Sequence, residues 1–178
     1  MRKIIKKITS IFFIFIILFG VTGCENKVEN IKDSDAPANL KEATGIVEKA
    51  KLDADGNILI SKENITREVR YYSYEYEGVI ISLLAVRDSK DHVIVVLNTC
   101  QSCGGSPYAY FVQIDDETIQ CQNCGNLFKI DELTELKENG CNPIGIENIE
   151  EIDNTIKIDH RELDEYKDLF ENWKGPKK

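Results

Sequence analysis

The sequence predicts an α+β domain, mainly antiparallel β-sheet, with a two-knuckle, four-cysteine metal-binding module and a C-terminal helix packed on the sheet. Three observations predict it. β-rich runs from Ala43 onward are separated by short turn signals such as "DADG" and Glu77-Gly78, which mark hairpins rather than helical crossovers. Two Cys-x-x-Cys pairs, each followed by Gly, leave seventeen residues between Cys103 and Cys121. Leu163, Tyr166, Phe170 and Trp173 recur at three- and four-residue steps, the apolar stripe a helix lays against a sheet.

The chain opens with "MRKIIKK", which carries Arg2, Lys3, Lys6 and Lys7 and no acid, followed by the apolar run "ITSIFFIFIILFG". This is the n-region and h-region of an export signal, too short for a comfortable membrane span. It runs into "VTGC", and small residues just before Cys24 resemble a bacterial lipobox, whose cysteine becomes residue one and carries lipid. Residues 1–23 are therefore expected to be a lipoprotein signal peptide and Cys24 the lipidation site. Such an anchor holds a protein on the extracytoplasmic face of the cell membrane without spanning it. With no twin-arginine pair, export in the unfolded state is the expectation. Residues 24–42 are polar, lack an apolar period and read as a flexible tether. Residues 43–178 read as one domain, with the cysteine module at about 98–146.

Within that domain "GIVEKAKL" and "NILISKENI" flank the "DADG" turn as a hairpin. The order of Asp53, Asp55 and Asn57 around Gly56 is wrong for a calcium loop, and no glutamate closes it. "REVRYYSYEYEG" and "VIISLLAVRD" meet at Glu77-Gly78, and "HVIVVLNT" follows. The last two are apolar on both faces and belong at the sheet centre. Tyr71, Tyr72, Tyr74 and Tyr76 are read as packing residues of a strand. "YAYFVQI" and "TIQC" form a further hairpin around "DDE", and "NLFKI" a short strand. "DELTELKENG" reads as a short helix capped by Asp131 and stopped at Gly140. "NTIKID" alternates as a strand, and Asp159 opens the last helix with Glu162 in the capping-box position.

Charge excludes one class of partner. Removing residues 1–23 takes four of 22 basic residues and none of 31 acidic ones, leaving 18 against 31, a net charge of −13. A surface of that sign repels nucleic acid and gives no polybasic grip on anionic lipid. No paired carboxylates, serine-centred triad or phosphate-cradling loop stands out, so nothing points to hydrolytic catalysis.

The chemistry lies in the sulfurs. Besides Cys24, the chain holds Cys100, Cys103, Cys121, Cys124 and an odd Cys141. C-x2-C-x17-C-x2-C falls within zinc-ribbon spacing, and Gly104 and Gly125 suit a tight turn that exposes amides to the sulfurs. The same set takes a single iron or ligates an iron–sulfur cluster. Cysteines of exported proteins usually pair, so bridges such as Cys100–Cys121 remain open, as do thiol exchange and unpaired structural cysteines. A bridge inside Cys-x-x-Cys is strained and labile. Cys141 is open to three readings: an additional ligand, a redox thiol or a small buried hydrophobe. The turn expected at "CNP" favours a place beside the metal site. His92 and His160 lack a ligand's spacing and read as neutral surface residues.

The run "NTCQSCGG…Y…QCQNCGNLFKI…NGCNPIGI" resembles the FtrD-like domain, described as a membrane iron–sulfur-containing family. Its pattern falls here on Cys100, Cys103, Gly104 and Tyr108, on Cys121, Cys124, Gly125 and Phe128, and on Cys141, Asn142, Pro143 and Ile144. The resemblance covers about residues 65–172, with Gly145 where the family has a second proline. It implies iron or an iron–sulfur cluster as cofactor, and electron transfer or metal handling for a membrane permease or ABC-type metal transporter. Many relatives carry several membrane spans, whereas this chain reads as a lipoprotein. A preassembled cluster cannot thread an unfolded-chain channel, while a single ion binds after export. Two other functions stay open: a non-redox docking module held by a zinc knuckle, and a thiol–disulfide oxidoreductase. The latter lacks Pro, Gly or His inside its pairs and the βαβ context.

Overall fold

Hydrophobic alternation builds the centre of the fold. The computed structural model describes residues 36–37, 39–43, 45–135 and 140–176. The expected signal peptide, Cys24 and most of the tether fall on residues 1–35, outside those described. The strands are β1 (Ile46–Lys49), β2 (Lys51–Leu52), β3 (Ile58–Ser61), β4 (Arg70–Tyr76), β5 (Val79–Arg87), β6 (Val93–Cys100), β7 (Phe111–Asp115), β8 (Thr118–Cys121), β9 (Leu127–Lys129), β10 (Pro143–Gly145), β11 (Ile149–Ile152) and β12 (Thr155–Ile158). One α-helix follows, α1 (His160–Asp164).

The strands form a five-stranded sheet ordered β1-β4-β5-β6-β10, a four-stranded sheet ordered β11-β12-β3-β2 and a three-stranded sheet ordered β7-β8-β9. Pairing is antiparallel except for β1 with β4. β5 and β6 lie inside the largest sheet, as their two-faced apolarity requires. Ile81, Leu83, Ala85, Val95 and Leu97 enter one core cluster with Tyr72 and Tyr74. Leu84, Val86, Ile94 and Val96 point the other way, into a second cluster with Tyr71. Each fully buried aliphatic side chain contributes about 1.5–3 kcal/mol, so this double burial fixes the register of the central strands.

The first cluster is completed by Ile58, Ile60, Ile156 and Ile158 of the four-stranded sheet and by Leu163, Phe170 and Trp173. The second takes in Cys100, Phe111, Ile119, Cys121 and Ile130. The cysteine module is thus part of the core, not an appendage.

Several elements depart from the expectations. The run from Gly45 to Leu52 is not one strand. It divides at buried Ala50, whose amide donates to the Ser73 carbonyl at 2.8 Å while the chain passes from one sheet to another. Only β2 forms the expected hairpin with β3, across the Asp53–Gly56 turn. There Asp53 accepts from the amides of Asp55 and Asn57, both at 2.9 Å, the local bonding of a turn. Asp131 caps no helix; a 3-10 turn spans Ile130–Glu132, and the Asp131 carboxylate accepts from the Ser89 amide and hydroxyl at 2.8 and 2.6 Å. The remainder of that expected helix, at 136–139, lies outside the described residues.

At the C-terminus Asp159 does cap α1, accepting from the Arg161 amide at 3.0 Å, but the capping box is not formed: the Glu162 carboxylate accepts from the Asn148 side chain instead. The α-ladder closes after Asp164 and the chain continues as a 3-10 turn, Lys167–Phe170. Three-residue bonds from Leu169 to Tyr166 and from Trp173 to Phe170 suit the three-residue steps of the stripe. Leu163, Phe170 and Trp173 are buried as expected, with Tyr166 packed at the margin.

Candidate metal centre

Two strands end in buried cysteines. Cys100 is the last residue of β6 and Cys121 the last of β8, and both are fully buried. After each, the chain turns back: the Cys103 amide donates to the Cys100 carbonyl at 3.2 Å, and the Gly125 amide to the Cys121 carbonyl at 2.9 Å. One short segment joins the two turns. Ala109 accepts from the Cys100 amide at 3.0 Å and Tyr110 from the Gln122 amide at 2.8 Å, while Phe111 stands opposite Cys121 in the β7–β8 ladder. The result brings the Sγ atoms of Cys100, Cys103, Cys121 and Cys124 within 4.8 Å of one another, two buried, one half-buried and one exposed. None of them is in a disulfide.

Such a group repels its own charge. The neighbouring Cys100 thiol and burial push the Cys121 thiol far above the ordinary range, against the amides of Cys124 and Asn123, which donate to its sulfur. Burial, with Cys121 beside it, pushes Cys103 up to about 11, against a hydrogen bond from the Asn123 side chain. Four thiolates this close need a cation between them, and the amide donors already favour the charged form. This donor set is that of zinc, of iron, or of iron–sulfur chemistry.

Asn123 links the two knuckles, because its Oδ1 accepts from Ser106 Oγ at 2.5 Å while it serves the Cys103 sulfur. Its place inside a Cys-x-x-Cys pair gives no local sign of this role, which depends on the distant turn at Ser106. The glycines also divide their work differently than expected. Gly125 has φ +74°, a left-handed turn that favours glycine, but in the first knuckle the left-handed residue is Gly105, at φ +84°. Gly104 sits tightly against the C-terminal turn: a Cβ there would lie 3.1 Å from Leu169 Cδ2, so that side chain would have to give way by a few tenths of an ångström.

Cys141 is exposed and stands outside the four-thiol group. Its loop is nevertheless tied to both knuckles. Ser102 Oγ donates to the Gly140 carbonyl at 2.9 Å, Gln101 N to Asn142 O at 3.0 Å, and Asn126 Nδ2 to Cys141 O at 3.1 Å. Pro143 does not sit in a tight turn; it begins β10, opposite Cys100 on the sheet edge, where its missing N–H is tolerated. The histidines stand apart from the thiols: His92 Nδ1 lies 2.9 Å from Asp88 Oδ2, and His160 Nδ1 2.9 Å from Asp164 Oδ2.

This placement predicts an order of labelling. In metal-free, reduced protein, iodoacetamide should modify exposed Cys124 and Cys141 first and Cys103 later. Buried Cys100 and Cys121 should react only after denaturant unfolds the domain, as peptide mass spectrometry would show. Early labelling of Cys121 would contradict the burial of the β8 terminus.

The family described as membrane iron-sulfur containing protein FtrD-like matches residues 65–170, more than half of the sequence, and the chain belongs to that family. The matched segment runs from the loop before β4 to Phe170 and includes Cys100 through Cys141. No curated protein and no solved structure matches the chain. The family is membrane-associated and iron-related by its description, and the four-cysteine group is one that could hold a metal. No helix among the described residues is long and apolar enough to cross a membrane.

Proposed function

We propose that this FtrD-like chain is a lipoprotein on the extracytoplasmic face of a bacterial cell membrane, anchored through Cys24. In this reading Cys100, Cys103, Cys121 and Cys124 hold iron, and the protein passes electrons or handles the metal for a membrane iron-transport system, a permease or an ABC-type transporter. The observation that carries the reading is the convergence of four sulfurs within 4.8 Å, in a family described by iron and sulfur. Iron held by thiolates supplies one-electron redox chemistry. The chain's own residues set its conditions: the Asn123 and Cys124 amides and the Asn123 side chain stabilise sulfur charge, and buried Cys100 and Cys121 keep water from one side. Exposed Cys124 marks the edge from which an electron partner would approach.

The described end of the tether runs beside the cysteine module. The Lys41 amide donates to Gln122 Oε1 at 2.6 Å, and Pro37 and Asn39 line a small cleft with Cys121 to Gly125.

Zinc remains the second reading, because Cys100 and Cys121 are core residues and an inert ion would serve the fold equally well. Thiol–disulfide exchange is disfavoured, because both pairs lack Pro, Gly or His between their cysteines and the described strands form no βαβ unit. Elemental analysis and visible absorption of protein purified without air decide between these. A coloured, iron-bearing sample supports the proposal; a colourless zinc protein supports a structural or docking role; metal-free protein with cystines supports exchange.

Asn123→Ala should keep the fold but free the Cys103 sulfur of its donor and sever the link to Ser106. Loss of such an outer partner costs about 10–100-fold in metal affinity, so release to a chelator should quicken by a factor in that range. Unchanged release would remove Asn123 from the site.

A further inference from the structure

We infer that the four-thiol site takes a single tetrahedral ion rather than a multi-iron cluster. The inference rests on the metal-binding reading proposed above and specifies its nuclearity. Thiolates on one ion sit at metal–sulfur bonds of about 2.3 Å, which places tetrahedral sulfurs about 3.8 Å apart. In a cluster the four thiolates are divided among two or four irons, and the iron–iron separation drives those on different irons well apart from the single-ion spacing. Here all four Sγ atoms lie within 4.8 Å of one another. A small contraction reaches the single-ion geometry; a cluster requires thiolates on different irons to move apart.

The fold resists that expansion. Cys100 and Cys121 are fully buried in the second core cluster among Phe111, Ile119 and Ile130. Each is held in a ladder, Cys100 opposite Pro143 and Cys121 opposite Phe111. Spreading their sulfurs means lifting the ends of β6 or β8 out of packed apolar surroundings. The Asn123 side chain closes the gap from the other side by binding the Cys103 sulfur and Ser106 together. The amides of Asn123 and Cys124 are aimed at the Cys121 sulfur itself. In this chain, then, the iron and sulfur of the family description are one iron and four cysteine sulfurs. Such a site fills after export with no inorganic sulfide supplied.

The test uses the full chain, isolated without air and also stripped of metal and reloaded with ferrous ammonium sulfate alone or with sulfide added. The expected result is one ion per chain, no acid-labile sulfide and saturation at one ferrous ion whether or not sulfide is present. X-ray absorption should show four sulfurs at about 2.3 Å with no metal–metal scattering. Two or four irons per chain with matching labile sulfide, or loading that requires sulfide, would overturn the inference while leaving the metal-binding proposal standing. An isolated chain that carries no metal and a stripped chain that binds no ferrous iron would overturn both.

Discussion

Cys121→Ser is expected to abolish tight metal binding and to destabilise the domain. The fully buried sulfur closes the strand β8 and belongs to the second core cluster, so its replacement acts twice. A neutral hydroxyl is a poor substitute for a thiolate ligand, and affinity should fall at least about 100-fold, given that altering an outer partner alone costs about 10–100-fold. The smaller, more polar hydroxyl also replaces a packed sulfur inside the second core cluster, a loss on the order of 1 kcal/mol even with the Asn123 and Cys124 amides still donating to it. In metal-loaded protein the two losses add, because binding free energy to a structural site is folding free energy. The control is Cys141→Ser. Cys141 is exposed and outside the four-thiol group, so this variant should keep its ion and its melting temperature. If Cys121→Ser retains full metal content and melts with the parent protein, Cys121 is not a ligand.

Trp173→Ala should be the most damaging change far from the sulfurs in sequence. Trp173 is buried, its ring 5.5 Å from Phe170 and 5.7 Å edge-on from Tyr110, centroid to centroid. Truncating a buried Trp costs about 3–5 kcal/mol, which in a domain of this size lowers the melting temperature by on the order of 10 °C. The effect should also reach the four-cysteine group. The next residue, Lys174, donates its amide to Pro107 O at 2.8 Å and sets its ammonium 5.6 Å from the Tyr108 ring centroid. Residues 107–110 form the bar that accepts from the Cys100 and Gln122 amides. Hydrogen exchange at those two amides should therefore accelerate more than at β5, which lies inside the large sheet. Equal protection throughout, with an unchanged melting temperature, would remove the C-terminal stripe from the support of the first knuckle.

The sequence was most legible where one physical effect dominated. Apolarity on both faces placed β5 and β6 inside the large sheet, and Glu77-Gly78 makes the turn between β4 and β5 with positive φ at both residues. The spacing of Cys100, Cys103, Cys121 and Cys124 anticipated their convergence, because a two-residue interval turns both sulfurs of a pair to one side. What escaped were features decided by distant partners. Strand β10 is a Pro-Ile-Gly step that reads as a turn and becomes a strand only because the edge of β6 is there to receive it. Strand β11, "IEEI", has no buried alternation and exists through its ladder with β12, closed by Asp153 at φ +50°. The parallel pairing of β1 with β4 depends on a switch of sheets at Ala50 that nothing in the local pattern marks. Asn123 and Gly105 likewise acquire their roles from the other knuckle or from backbone geometry. So does the end of the tether, whose polar sequence gives no sign that Lys41 meets Gln122 of the second knuckle.

Native mass spectrometry of the gently purified, intact protein tests the central claim most directly, namely that Cys100, Cys103, Cys121 and Cys124 close around a cation. The account predicts a folded species heavier than its polypeptide by one metal ion, with the ion lost on acidification and all four cysteines alkylated once the metal-free chain is unfolded in denaturant at neutral pH. A folded species lacking any metal, lighter than the reduced chain by the hydrogens of two cystines among those four positions, would contradict it.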